Sequence, residues 1–152
     1  MRLKIALACA LFAFTSATPF AQAPGAFTMH STPVIVSQNI TPSSYVFTFT
    51  ATTTAQINGV AIKGLTFSGY AQSGPAEFHV WGVIVGELAN GDQVTFMYQR
   101  VSPVRNGVTL EGTLTYKIVG GTGAAMGITG SGSCKIPQTG LDSVCAGAYA
   151  IP

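Results

Sequence analysis

The stretch NGVTLEGTLTYKIVGGTGAAMGITGSGS, Asn106 to Ser133, alternates in a way that decides the fold. Val108, Leu110, Leu114, Tyr116 and Ile118 share one parity, and Thr109, Glu111, Thr113, Thr115 and Lys117 share the other. That is the period of a half-buried strand. After the glycine-rich break, Met126, Ile128, Cys134 and Ile136 hold one face with Gly130 and Gly132 between them. Thr129, Ser131, Ser133 and Lys135 hold the other. The stretch is therefore a β-hairpin. For the two apolar faces to coincide the loop must have odd length, which a three-residue Gly121-Thr122-Gly123 turn supplies. This places Tyr116 opposite Ile128 and Leu114 opposite Gly130.

Working outward, Tyr45 to Ala51 alternates with Tyr45, Phe47 and Phe49 on one face, and Asn58-Gly59 signals a turn. Phe27 to Val36 reads as a first strand interrupted by Pro33. Asn90-Gly91 predicts a two-residue type I′ loop, with Ala89 opposite Asp92. That register faces Val85 to Phe96, Val83 to Tyr98 and Trp81 to Arg100, so Trp81, Val83, Val85, Val94, Phe96 and Tyr98 form the bulky inner face. About eight such strands are expected, with no stretch of capped helical periodicity after the leader. The expected fold is all-β, a small closed antiparallel barrel, since closure removes edges; a two-sheet β-sandwich is the alternative.

Arg2 and Lys4, the apolar run Ile5 to Phe14 and Ala21-Gln22-Ala23 predict a signal peptide over residues 1–23. Residues 24–152 then form a single domain, exported to the periplasm or beyond. Without the leader, Lys63, Arg100, Arg105, Lys117 and Lys135 balance Glu77, Glu87, Asp92, Glu111 and Asp142. A neutral chain offers no basic footprint for nucleic acid or anionic lipid. A transmembrane barrel is disfavoured, because Glu111 and Lys117 stand on the face that would meet lipid. Cys134 and Cys145 remain as the cysteines of an oxidising compartment, so a disulfide between them is expected. If the two are directly opposed, Gly132 faces Gly147 and Gly130 faces Tyr149, with the Tyr149 ring expected over Gly130. Val144, Ala146, Ala148 and Ala150 then point outward as a smooth stripe. On a chain with 47% hydrophobic residues and 8% charged ones, that stripe suits a homo-oligomer.

Val119-Gly120-Gly121-Thr122-Gly123 followed by Gly127-Ile128-Thr129-Gly130-Ser131-Gly132 resembles the signature of the allene oxide cyclase and dirigent barrel superfamily, including its bacterial members. Gly91-Asp92-Gln93-Val94 and Glu111-Gly112-Thr113-Leu114 look similar as well. The resemblance implies a small eight-stranded barrel with an apolar lumen. Ala124 and Ala125 stand where family members commonly carry a basic and an aromatic residue, and the shared glycines are turn and packing residues that carry no catalysis with them.

The predicted registers gather Glu77, His79, Trp81 and Arg100 at one mouth of the barrel, with Tyr98 on the same inner face. A carboxylate, an imidazole and a guanidinium beside an apolar cavity suit the polar head of a ligand or a proton transfer. The alternative is a rim ion pair of Glu77 with Arg100, Trp81 stacking on the guanidinium. His30 and His79 are too few for a zinc site, and no nucleophile elbow, zincin motif or phosphate loop occurs, so no metal or cofactor is expected. The expected function is binding of a small apolar ligand in the lumen. The alternatives are an isomerase or cyclase acting on a lipid-like substrate, and a structural or adhesive subunit.

Overall fold

The computed structural model describes residues 20–32, 36–139 and 141–152, with side chains from Phe27 onward. The predicted signal peptide lies outside the described residues up to residue 19, as does Pro33. In chain order the strands are β1 (Phe20–Ser31), β2 (Val36–Thr41), β3 (Ser44–Thr53), β4 (Gln56–Ile57), β5 (Val60–Ser73), β6 (Glu77–Leu88), β7 (Gln93–Arg105), β8 (Val108–Thr109), β9 (Gly112–Gly121), β10 (Thr129–Ile136) and β11 (Asp142–Ile151).

The strands alternate apolar and polar residues and close into one ring that buries the apolar face. Pairing runs β1-β11-β10-β9-β7-β6-β5-β3, all antiparallel, and returns from β3 to β1 through Met29↔Thr53, His30↔Thr52 and Ser31↔Ala51. The result is the closed eight-stranded barrel, not the sandwich. β2 continues the β1 edge along β3, while β4 and β8 are short additions to β5 and β7. β1 begins upstream of the predicted leader cut, and its register with β11 shifts between Gln22 and Gly25, where that cut falls.

Inward side chains fill part of the lumen. Along β9, Leu114, Tyr116 and Ile118 are buried while Thr113, Thr115 and Lys117 are exposed. Phe47, Phe49 and Phe67 stack with centroids 5.8 and 4.5 Å apart, and Tyr98 meets Phe67 edge-on at 5.5 Å. Full burial of a ring such as Phe67 contributes about 2–3 kcal/mol. Cys134 and Cys145 form the expected disulfide, with Gly132 opposite Gly147 and Gly130 opposite Tyr149 as predicted. The Tyr149 ring does not serve Gly130, however. Its hydroxyl accepts the Asn58 N–H, and the space over Gly132 and Gly147 belongs to Tyr116.

Two loops differ from expectation. Between β6 and β7 the Leu88 N–H donates to the Asp92 carbonyl at 2.8 Å and the Gly91 N–H to the Leu88 carbonyl at 3.0 Å. The loop is thus Ala89-Asn90-Gly91, three residues, with a left-handed residue only at Gly91 (φ +88°). A type I′ turn needs two, as at Asn58-Gly59 and Asn106-Gly107. Asn90 is held otherwise by its own side chain, which accepts the Asp92 N–H at 3.1 Å and donates to the Asp92 carboxylate at 2.8 Å. The extra residue shifts the register by one and reverses the β6 faces. Val80, Ile84 and Leu88 point inward with Val94, Phe96 and Tyr98, while Trp81 and Val83 point out.

Between β9 and β10, Gly120 and Gly121 prolong β9 instead of turning, and a 3₁₀ turn at Gly123–Ala125 follows. Ala125 packs back against Gly121, where a Cβ would collide with it. Tyr116 pairs with Gly132 and Leu114 with Cys134, four residues from the predicted register. An even displacement preserves parity, so the predicted apolar faces still coincide, save for Met126, which stands in the connection and is exposed.

Candidate functional site

The described residues leave two cavities in the lumen, because aromatic and aliphatic side chains meet at mid-height without filling the ends. Met29, Phe67 and Leu114 line both cavities and separate them.

The larger cavity, about 250 Å³, has walls of Ile57, Ile62, Ile84, Phe96, Ile118 and their neighbours. Its flank is the segment Thr53–Ile57, where β3 leaves β1. There, threonines take over the seam: the Thr53 hydroxyl donates to the Thr28 carbonyl at 2.9 Å and the Thr28 N–H to Thr54 Oγ1 at 3.0 Å. The Asn58-Gly59 turn is pinned to the far wall through Tyr149. Tyr116 lies against the β10–β11 wall of this space, over Gly132 and Gly147, and burial pushes its hydroxyl up to about 12.

The smaller cavity, about 140 Å³, lies at the other end of the barrel among Tyr45, Phe47, Phe49, Phe78, Tyr98 and Arg100. Arg100 enters from β7. Its Nε donates to the fully buried Ser102 hydroxyl at 2.9 Å, and its guanidinium lies 5.8 Å from the centre of the Phe78 ring. A Cβ at position 112 would overlap the Ser102 hydroxyl, so Gly112 makes room for this anchor. Burial lowers the Arg100 pKa, and Tyr45 offsets part of that; burial raises Tyr45, against the pull of Arg100. Tyr98 is raised well above the usual phenol range by burial, and its hydroxyl has no hydrogen-bond partner among the described residues.

The structure therefore divides the five predicted site residues. Tyr98 and Arg100 face the lumen, whereas Glu77, His79 and Trp81 lie on the outer surface because of the one-residue register difference. Glu77 pairs with His79 Nε2 at 2.8 Å, an exposed contact of small energetic weight. Trp81 packs on Tyr70, centroids 4.8 Å apart, and stays 45% exposed. Neither the Glu77–Arg100 pair nor the stacking of Trp81 on the guanidinium forms; Phe78 takes that second place. Tyr45 and Ser102 were legible as inward residues from the alternation of β3 and β7, while Phe78 depended on the β6–β7 register. Among the described residues no cluster of His, Cys, Asp and Glu suits a metal ion.

No protein-family model and no curated protein matches the chain. Solved structures that share its fold include two dirigent proteins. The pterocarpan synthase dirigent protein GePTS1 is 17% identical, with a TM-score of 0.56 over 98% of this chain and 98% of that one. The pterocarpan synthase dirigent protein PsPTS1 is 15% identical, with a TM-score of 0.52 over 85% of this chain and 94% of that one. The chain thus has a dirigent-like barrel fold.

Proposed function

We propose that this chain is an exported β-barrel that binds a small apolar ligand in its lumen. The larger cavity carries the reading. Its walls are branched aliphatic and aromatic side chains, the lining typical of sites for small organic molecules. The polar side chains described there are threonines, Gln56 and the hydroxyls of Tyr116 and Tyr149, none of which is a general base near neutral pH. That supports binding over isomerase or cyclase turnover. Export is supported by the Cys134–Cys145 disulfide. A leader cut after Ala23 leaves the β1–β11 register intact from Gly25↔Gly147 onward.

A second copy of the chain is the partner that fits this reading. Val46, Trp81, Val83, Met97 and Val101 are all exposed on strands β3, β6 and β7, and Val144 is exposed on β11. So much apolar surface on a chain of 8% charged residues favours self-association.

Native mass spectrometry of protein purified from its own host tests both statements. A small-molecule adduct that is released on denaturation, on an oligomer of chains starting near residue 24, is the expected result. A bare monomer that also takes up no neutral apolar dye would contradict the proposal.

A further inference from the structure

We infer that the smaller cavity is a separate binding site for the carboxylate of a compact aromatic acid, with Arg100 as its anion partner. This rests on the lumen being a binding chamber and adds a second compartment with its own chemistry.

The first observation is a cation in the lumen without a counter-ion. The ion pairs among the described residues are His30–Asp142 and Glu77–His79, and neither involves Arg100. Only its Nε has a hydrogen-bond acceptor among those residues, the Ser102 hydroxyl. A guanidinium partly withdrawn from water loses some solvation that a carboxylate restores, and its planar fork binds both carboxylate oxygens at once. The Ser102 bond and the Phe78 ring hold the fork in place, so little side-chain freedom remains to be lost on binding.

The second observation is Tyr98, whose ring lines the same cavity and whose hydroxyl, packed over Gly69, has no partner among the described residues. Buried polar groups are normally satisfied, and an unsatisfied one marks the place of a missing partner. Raised by burial, it stays protonated and is a donor, the polarity an anionic ligand needs.

The third observation is size and lining. Apart from Arg100 and Ser143 with Ser31, the walls are aromatic rings and aliphatic side chains, around about 140 Å³. An apolar cavity of about 150 Å³ is known to accept benzene. One six-membered ring therefore fits among Phe47, Phe49, Phe67 and Phe78, where edge-on and offset contacts are available. A long aliphatic acid would have to pass Met29, Phe67 and Leu114 into the larger cavity.

Calorimetric titration with benzoate, benzamide and octanoate tests the inference, with a neutral apolar dye as a reporter of the larger cavity. Benzoate should bind saturably and at least about tenfold more tightly than benzamide, which has the same ring without the charge. Arg100→Gln should reduce benzoate to the benzamide level while dye binding persists. Tyr98→Phe, which keeps the ring and the fold, should weaken benzoate by about threefold to tenfold. Equal binding of benzoate and benzamide, no saturable benzoate binding, or octanoate binding more tightly than benzoate would each overturn it. Dye uptake without benzoate uptake defeats this inference alone and leaves the larger cavity as the binding chamber. Loss of both defeats both.

Discussion

Tyr116 lies along the inner wall over β10 and β11 because two residues beneath it have no side chain. Gly132 and Gly147 face each other on β10 and β11, and a Cβ on either would overlap the Tyr116 hydroxyl. We therefore expect Gly147→Ala to destabilise the protein by about 1–3 kcal/mol through overpacking. In a Tyr116→Phe background the same substitution should cost clearly less, since the obstructing oxygen is gone. Urea denaturation of the four proteins in a double-mutant cycle measures the coupling. Identical costs in both backgrounds would remove the explanation. At this scale the glycine pair was legible, because opposed cysteines two residues away set the register of β10 on β11. Its occupant was not. Tyr116 belongs to β9, and its position along β10 depends on how much chain the 122–128 connection consumes.

The elements show the same division between period and register. Alternation identified which residues of β3, β7 and β9 share a face, since one buried side imposes a strict period of two. It did not determine how β6 and β7 align. Three Asn-Gly pairs look alike in sequence, yet only two adopt a left-handed asparagine. The third differs through Asp92, whose carboxylate accepts Asn90 Nδ2–H and, at 2.9 Å, the Ala124 N–H of the neighbouring connection. Asp92 thereby ties the β6–β7 loop to the 3₁₀ turn. Replacing it by Ala should cost about 1–2 kcal/mol, near the value of the hydrogen bonds lost. Hydrogen exchange should quicken at the Ala124 amide before it does in β9 or β10. An unchanged Ala124 amide in Asp92→Ala would show that the loop is held by other means. The misplacement of Glu77, His79 and Trp81 follows from this one loop, because a single added residue moves every β6 side chain through the wall.

For the whole molecule, closure makes the inner and outer faces chemically distinct, and function depends on which residues each face receives. The barrel itself was legible from strand number, short turns and the absence of helical periodicity. The partition of the lumen into two cavities was not, because it depends on where Met29, Phe67 and Leu114, from β1, β5 and β9, meet. The most direct test of the binding chamber uses two adjacent β6 residues. Ile84 lines the larger cavity, and Val83 lies outside the barrel. Ile84→Trp fills the cavity and Val83→Trp does not. With circular dichroism confirming that both variants fold, titration of a neutral apolar dye should show uptake by the wild type and by Val83→Trp, and loss of it in Ile84→Trp. Dye binding that survives Ile84→Trp and disappears in Val83→Trp, or a wild type that binds no dye, would contradict the account.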